Sequence, residues 1–595
     1  MSTLAWILAG IVAYWLLALS LKRRGIFPEY VRVQGPLLTI HTGRGRTFLD
    51  RLSAPTRFWR AVANFGVGVA LVVMGLAFLF LLLTAVAQML EPEPTAVTQP
   101  QNVLVIPGVN EFLPLSVAGE IVLGLLIGLV VHEGGHGLLC RVEDIDIRSM
   151  GVVLFALIPV GAFVEPDEDS RRVADRGGRT RMFAAGVTGN LVVTIIAFGL
   201  LFGPVTGSMA VAGGAAVGDV LADSGADRAE IESGDRIIAV GDQPIADEDE
   251  FESVLNDTEQ SRVAVELAGA CEDDPDRACE TEVDRTAYVM GVVPEATPEI
   301  DRQDVIVSVN DTTVSTEREL RAEFEDRTVA TVETEDGNSS TFPVGAYATV
   351  SPDGPLAEVS EGELDEEAVV ITRIDGERVV DDGALTEVLG DTAPGDEVTV
   401  EVYVEDEPRT YEVTLDEHPQ ADRGQIGVQA SQGYTGLIVN DFGITPYPAE
   451  QYLGILDSGS GVLDSVLQQV LVVLALPIAG IAETGLPFNF AGFTGGVEYF
   501  YETTGPLGFM GGGLFVFANI LFWTAWINFN LAFFNCIPGY PLDGGHILRA
   551  SAEAVVSRLP IENTHRATSL ITTTIGVTML LSLILLLFGQ GLLAG

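Results

Sequence analysis

Residues 130–139 read VVHEGGHGLL and belong to an apolar run that extends over 117–140. His132 and His136 are four residues apart, so on one helix they share a face where two imidazoles can hold one metal ion, with Glu133 beside it. Ionisable groups inside an apolar run are costly and normally mark function. The plainer alternative is a pair of structural histidines bonded to neighbouring backbone groups. We favour the metal site, because two of only six histidines fall at this spacing.

A catalytic zinc site of this kind needs a third protein ligand and an open position for water. Asp543 is the first candidate. It follows the apolar run 513–534 in the segment NCIPGYPLDGGH, residues 535–546, where proline and glycine break the helix. A broken helix is tolerated in a membrane only where protein or water satisfies the freed backbone groups. His546 is the rival ligand, and spacing alone does not exclude it; we expect Asp543.

Composition separates the chain into two kinds of sequence. Its 595 residues suffice for several domains. The net charge is −51, yet 48% of the residues are apolar and the mean hydropathy is +0.34. Residues 201–430 hold 58 of the 83 acidic residues and 13 arginines, and the remainder is apolar and close to neutral. No extended basic face is available to follow a nucleic-acid backbone, so we expect no nucleic-acid partner.

Lysine occurs once, at Lys22, and arginine supplies every other basic side chain. An acidic, lysine-poor exterior is similar to that of proteins from salt-loving archaea, where concentrated salt screens the repulsion. We therefore expect a halophilic archaeal source, with an acidic partner-binding domain as the alternative.

Four cysteines are too few for a disulfide scaffold. Cys271 and Cys279 bracket a short acidic loop and can pair if that region is extracytosolic. Cys140 and Cys536 lie beside the two candidate motifs, where apolar packing is the expected role.

Several apolar runs are long enough to span a bilayer of about 30 Å. They are residues 4–21, 62–89, 117–140, 182–203, 513–534 and 567–589. A weaker apolar stretch at 463–482 is broken by Pro477, and we expect it to be re-entrant or interfacial.

Arginine placement predicts the orientation through the positive-inside rule. The loops 22–60 and 165–181 are arginine-rich and should be cytoplasmic. Counting spans from these loops places the acidic 210–430 region outside and both candidate motifs towards the cytoplasmic side. The sequence therefore predicts a multi-pass protein of the cell membrane.

The acidic region contains an internal repeat with a spacing of about 65–70 residues. Residues 234–242, 304–311 and 368–376 are each an alternating apolar strand that ends in a polar turn and leads to an amphipathic stretch. The first and third copies resemble PDZ domains, which bind peptide as an added strand. The alternative is a β-rich spacer with no peptide groove.

Together, the motifs resemble the site-2 protease family of intramembrane zinc metalloproteases, in particular the type that cleaves membrane-bound transcription factors. Residues 131–138 are similar to its first motif, and Asn535 and Pro538 through Leu542-Asp543-Gly544 to its second. Residues 151–164 and 185–190, AGVTGN, match the intervening elements. The resemblance implies one Zn²⁺ bound by His132, His136 and Asp543. It also implies Glu133 as catalytic base and a substrate-binding role for Asn190 and Asn535.

We thus predict a polytopic α-helical membrane protein with an inserted extracytosolic β-rich (PDZ-like) region. The expected domains are an N-terminal anchor and basic loop (1–60), two halves of a membrane protease core (61–205 and 513–595), PDZ-like repeats (214–430) and a re-entrant or interfacial connector (440–512).

The expected activity is hydrolysis of a peptide bond within or near a transmembrane segment of a membrane-bound substrate such as a regulatory protein. The lipid bilayer is the other expected partner, and the oligomeric state is left open. The alternative function is a membrane-anchored PDZ-like adaptor with a vestigial metal site. A transporter would require repeated transmembrane halves, which the sequence does not show.

Overall fold

A computed structural model describes residues 3–28, 30–90, 107–108, 110, 113–155, 158–273, 279–352, 354–404, 407–418, 423–457, 459, 465–481, 486–560 and 562–593. The helices in this part of the chain are α1 Thr3–Arg23, α2 Arg44–Leu52, α3 Thr56–Leu90, α4 Ala118–Val142, α5 Glu168–Val173, α6 Arg176–Leu200, α7 Gly225–Arg228, α8 Glu248–Asp257, α9 Ala270–Asp273, α10 Glu317–Glu325, α11 Pro355–Val359, α12 Asp382–Gly390, α13 Ala449–Leu456, α14 Val466–Ala475, α15 Gly513–Cys536, α16 Asp543–Val556 and α17 Thr564–Leu593.

The strands are β1 Val31–Gln34, β2 Leu37–His41, β3 Ile147–Phe155, β4 Ile158–Pro166, β5 Met209–Val211, β6 Ala215–Val220, β7 Asp235–Val240, β8 Gln243–Pro244, β9 Arg262–Gly269, β10 Glu280–Asp284, β11 Tyr288–Val292, β12 Ile306–Val309, β13 Thr312–Thr313, β14 Val329–Thr334, β15 Ser339–Pro343, β16 Ala346–Val350, β17 Ala368–Ile374, β18 Glu377–Arg378, β19 Glu397–Val404, β20 Glu407–Thr414, β21 Asp416–Glu417, β22 Gly424–Gln425, β23 Val428–Ala430, β24 Leu437–Asn440, β25 Ile444–Pro446 and β26 Tyr501–Thr503.

The chain forms two compact units. A helical unit comprises residues 1–210, 451–495 and 503–595, and a β-rich unit comprises 211–450 and 496–502. The acidic region identified in the sequence is therefore a folded β-rich insertion between two halves of a helical core.

Five helices in the described residues are long and apolar enough to cross a membrane. They occupy residues 56–90, 115–142, 176–208, 513–536 and 564–588. Within a bilayer a helix satisfies its backbone hydrogen bonds internally, which is why these apolar runs are helical. The prediction of a polytopic helical membrane protein is confirmed. The predicted first span forms α1, which is not among the five; most side chains of its first half lie outside the described residues.

Close backbone approach and a buried carboxylate hold the central helices together. A Cβ at Gly135 on α4 would lie 2.6 Å from the Ala185 carbonyl oxygen on α6, so only glycine fits there without displacement. Just past the end of α4, Glu143 accepts two hydrogen bonds of 2.9 Å from the guanidinium of Arg181 on α6. Its side chain is only 4% exposed and also pairs with Arg60 of α3 at 3.1 Å. α4 is thereby fixed against α6, which sets the distance between the residues described below.

A small antiparallel sheet accompanies the helices, in the order β1-β2-β3-β4. The apolar stretch 151–164 forms most of the β3–β4 hairpin, in which Gly151 lies opposite Phe163 and Met150 opposite Val164. β4 is the last strand of this sheet and therefore has an edge that no further strand of the sheet covers.

The stretch 463–482 contains α14, which continues as a 3-10 helix from Leu476 to Ile481. This helix is shorter than the five membrane candidates. At about 1.5 Å per residue α14 itself is about 15 Å long, half the thickness of a bilayer core. A re-entrant or interfacial position stays a prediction for this segment.

The β-rich unit contains three hydrophobic cores that are nested along the chain. The first core uses β6–β10 and is closed by β25, the second uses β11–β15 and is closed by β24, and the third uses β16–β20 and is closed by β23. Each core is thus inserted into the preceding one. The three repeated stretches of the sequence become β7, β12 and β17, each followed by a two-residue strand and a helix, namely α8, α10 and α12.

A disulfide joins Cys271 and Cys279, whose Cα atoms are 5.6 Å apart. Cys140 and Cys536 are free and buried in the hydrophobic clusters of the helical unit.

Candidate metal centre

Three side chains converge where α4, α6 and α16 meet. His132 and His136 lie one turn apart on α4, with their Nε2 atoms 3.1 Å apart. Asp543 is the first residue of α16, and its Oδ2 lies 3.1 Å from His132 Nε2 and 3.2 Å from His136 Nε2. The three side chains are 9%, 11% and 12% exposed, in that order. The structure thus brings together, from opposite ends of the chain, the three residues that the sequence singled out as ligands.

The arrangement fits one metal ion. In a tetrahedral site with bonds of about 2.0–2.1 Å, ligand atoms lie about 3.3–3.4 Å apart, close to the separations seen here. Asp543 Oδ2 is buried and receives no hydrogen bond, and a buried carboxylate oxygen without a donor or cation is costly. Two imidazoles and one carboxylate are a donor set that zinc uses.

The two rings are held by different partners on α6. His136 Nδ1 lies 2.8 Å from the Met182 carbonyl oxygen, to which it can donate a hydrogen bond. His132 Nδ1 lies 3.4 Å from the Asn190 amide nitrogen, while Asn190 Oδ1 is buried without a partner. Amide oxygen and nitrogen are exchanged by a simple flip. In the flipped orientation Oδ1 would accept a hydrogen bond from Nδ1–H of His132, and the amide nitrogen would take the position that has no partner. In each ring Nε2 is then the unprotonated nitrogen that a metal needs.

Gly186 explains how the rings fit against α6. A Cβ at this position would lie 2.7 Å from both His132 Cε1 and His136 Nε2. No side chain can occupy that space while the rings keep their positions. Gly186, the first glycine of the AGVTGN element, therefore leaves the space that the two histidine rings occupy.

Glu133 is held by the edge strand of the sheet. Its Oε2 accepts a hydrogen bond of 2.8 Å from the Val164 backbone N–H on β4. Glu133 follows His132 directly on α4, so the carboxylate is fixed next to the ligand group. This contact joins the proposed base to the β3–β4 hairpin.

Two other predicted positions are not part of the ligand group. The amide of Asn535 donates to Leu531 O of its own helix at 2.9 Å, and its substrate-binding role stays a prediction. The ring of His546 stacks on Phe183, with centroids 4.1 Å apart and planes within 3°. His546 is therefore outside the ligand group, in keeping with the choice of Asp543.

Sequence reasoning missed Asn528 on α15. This residue is fully buried, and its Oδ1 has no partner. A Cβ at Gly128 would lie 3.3 Å from that oxygen, which places Asn528 against α4 one turn before His132. An asparagine inside an apolar span is itself a functional signal, and this one was available in the sequence.

A multi-pass membrane protein whose apolar helices gather an HExxH pair and a distant aspartate is a membrane-embedded metallopeptidase by class. The chain belongs to peptidase family M50, the site-2 protease family, whose sequence model matches residues 120–583. Members of this family are zinc metalloproteases. The match includes every residue of the ligand group and parts of both halves of the helical core.

The chain is also similar to the uncharacterized protein MJ0971 of Methanocaldococcus jannaschii, with 35% identity over 80 residues. That segment spans 13% of this chain and 22% of the relative. The chain thus covers about a fifth of the length of this relative.

Proposed function

We propose that this protein is a zinc metalloendopeptidase of the site-2 type, which hydrolyses a peptide bond within or near a transmembrane segment of a membrane-bound substrate. The observation that supports this most strongly is the buried group of His132, His136 and Asp543, in which Asp543 Oδ2 receives no hydrogen bond. A regulatory protein released from the membrane is the substrate class that the family membership suggests.

In this proposal one Zn²⁺ is held by His132, His136 and Asp543. When bound, the ion supplies a Lewis acid that polarises the scissile carbonyl and makes water a stronger acid. Glu133 takes the proton of the attacking water and returns it to the amine nitrogen as the C–N bond breaks. The Val164 N–H keeps one carboxylate oxygen of Glu133 in place for both transfers. Asn190 and Met182 hold the two rings in the required tautomer.

The edge of β4 supports a proposal for how substrate is held. A helix hides its carbonyl groups in hydrogen bonds, so the substrate must be extended where it is cut. The N–H of Val164 points to Glu133, away from β3. In an antiparallel ladder, facing residue pairs alternate between hydrogen-bonded and non-hydrogen-bonded. Ala162, two residues before Val164, therefore also directs its N–H and C=O away from β3. An extended substrate that adds to this edge at Ala162 is aligned beside Glu133.

The β-rich unit is proposed to lie outside the cell, with the metal centre towards the cytoplasmic side. The arginine-rich loops support this orientation, and the Cys271–Cys279 disulfide fits an oxidising compartment. There the unit would act as a size filter that admits substrates whose outer domain has been trimmed. The strands that close the three nested cores extend to residue 446. A deletion that removes these cores whole therefore spans residues 211–450, and not only 214–430. The deletion variant should cleave an untrimmed substrate that the full chain rejects.

The function is tested with a tagged single-span reporter in membranes. The reporter carries a helix-breaking transmembrane segment, and it is compared in wild-type, Glu133→Gln and chelator-treated samples. We expect cleavage by the wild type alone, with recovery of the chelated sample on adding zinc. Cleavage by Glu133→Gln at the wild-type rate would refute the assignment of the base. A folded, zinc-loaded wild type that cleaves no reporter, even after the deletion of 211–450, would favour the adaptor function.

A further inference from the structure

The helical unit contains a second polar cavity, between α6, α16 and α17 and outside the metal centre. Its volume is about 620 Å³. The lining residues are Arg176, Arg179, Arg549, Glu553, Ser557, Thr564, His565, Thr568, Ser569 and Thr572. Three guanidinium groups and several hydroxyl groups facing one space are unexpected in a chain with a net charge of −51.

The side chains that line the cavity do not neutralise its arginines. Glu553 is the one carboxylate among the lining residues, and two arginines share it: Arg549 at 3.3 Å and Arg179 at 3.9 Å. Arg179 Nε is buried and has no hydrogen-bond acceptor. Arg176 makes a long contact of 3.5 Å to the neutral Ser557 hydroxyl. A further acceptor with negative charge is therefore missing from the side chains that line the cavity.

The donors suit a phosphate group. Guanidinium groups present a planar fork that matches phosphate oxygens, and they are the usual residues where phosphate is bound. The hydroxyls of Thr564 and Ser569 on α17 also line the cavity and add neutral donors. A smaller adjoining cavity of about 360 Å³ shares Arg176 and Ser557 and adds Arg558, which extends the positive charge.

The position of the cavity points to a lipid as the source of the phosphate. Arg176 is the first residue of α6 and Thr564 the first of α17, and both helices are membrane-span candidates. Residues at the start of a span lie at the level of the lipid headgroups, and basic pockets between such helices bind anionic headgroups. α16 connects this cavity with the metal centre, because it carries Asp543 at its first residue and Arg549 and Glu553 further along.

We propose that the cavity lined by Arg176, Arg179 and Arg549 binds the phosphate group of an anionic lipid, and that the bound headgroup holds α16 against α6. The binding itself is independent of the proposed function. The effect of lipid binding on the metal centre does rest on the proposed function, because α16 supplies Asp543 and α6 supplies Gly186 and Asn190 beside the histidines. Occupancy should therefore raise the affinity of the centre for zinc.

The test uses the full chain in nanodiscs of phosphatidylcholine, with and without 20% phosphatidylglycerol, and counts bound lipid by native mass spectrometry. The variant Arg179→Gln with Arg549→Gln is compared with Arg262→Gln with Arg302→Gln, which removes the same charge at exposed positions of the β-rich unit. A basic side chain near a lipid surface contributes about 1 kcal/mol, so the cavity variant should lose about 30-fold in phosphatidylglycerol affinity. The control should change less than 3-fold.

Further arms separate the outcomes. The double variant Thr564→Ala with Ser569→Ala keeps the positive charge and the helix. A reduced affinity of this variant for phosphatidylglycerol would support a specific binding site even if the arginine variant fails to fold. Inorganic phosphate at 10 mM that displaces the lipid would support the phosphate chemistry and assign the free anion as a competing source. Equal losses in both arginine variants would overturn the proposal. Every binding arm is repeated in Glu133→Gln, so loss of lipid binding and loss of proteolysis are seen separately.

Discussion

Replacing Gly186 by alanine should disable the metal centre without removing any ligand. The new Cβ would lie 2.7 Å from His132 Cε1 and from His136 Nε2, whereas ordinary contact begins near 3.4 Å. The rings or α6 must therefore move by about 0.7 Å, while ligand positions tolerate about 0.2 Å. Displacement of this kind in a packed core costs about 1–3 kcal/mol. We expect zinc affinity to fall at least 10-fold and reporter cleavage to be lost.

The assay is zinc retention against a competing chelator, measured by elemental mass spectrometry together with reporter cleavage. Gly199→Ala is the matched control. It lies on the same helix, is exposed, and its Cβ would meet nothing within 4 Å. Alanine is the better helix former by about 1 kcal/mol, so this variant should be at least as stable as wild type. Zinc affinity of Gly186→Ala within 3-fold of wild type would show that the rings do not sit against α6 as described.

Three further predictions follow from other contacts. Asn190→Leu should lose 10–100-fold in zinc affinity, whereas Asn190→Asp, which still accepts from His132 Nδ1–H, should retain most of it in the same chelator assay; equal losses would contradict the amide orientation. Ala162→Pro should lower reporter kcat/KM at least 10-fold with unchanged zinc content, since it removes an edge N–H, and Ala162→Ser should not; activity in both would exclude the β4 edge. Burial and the nearby Asp441 raise the pKa of Glu317 to about 8, above the ordinary 4.5. The β-rich unit should therefore lose stability as pH rises from about 5 to 8, by at most about 1.4 kcal/mol per pH unit. Hydrogen exchange of residues 286–344 in the full chain should show a steeper loss of stability with pH in wild type than in Glu317→Gln.

Local sequence patterns predicted the membrane architecture and the family well. The five spans follow from apolar length, which the bilayer dictates directly. The HExxH motif pointed to a metallopeptidase, and the family match bears this out. The spacing of His132 and His136 defines their geometry almost completely, because both belong to one helix. Asp543 was the expected third ligand from the residues themselves, but spacing alone did not exclude His546, since no local rule orients a residue that follows a broken helix.

The sequence could not show what depends on contacts between distant segments. The repeat spacing indicated three copies along the chain, but not that three short strands after the third copy close all of them. Those strands, β23 to β25, have only three or four residues each and return in reverse order. The hydrogen bond from Val164 to Glu133 could not be predicted either, because it joins a backbone amide to a side chain 31 residues away. Asn528 was overlooked although its polarity within an apolar span was visible.

The most direct test of the account is a zinc titration of metal-free protein in which bound zinc and reporter cleavage are measured on the same samples. We predict that wild type binds one zinc per chain and that cleavage rises in proportion. Glu133→Gln should bind one zinc with similar affinity and restore no cleavage, because it keeps all three ligands and lacks only the base. Cleavage by zinc-loaded Glu133→Gln, or wild-type cleavage that is complete before zinc binds, would contradict the account.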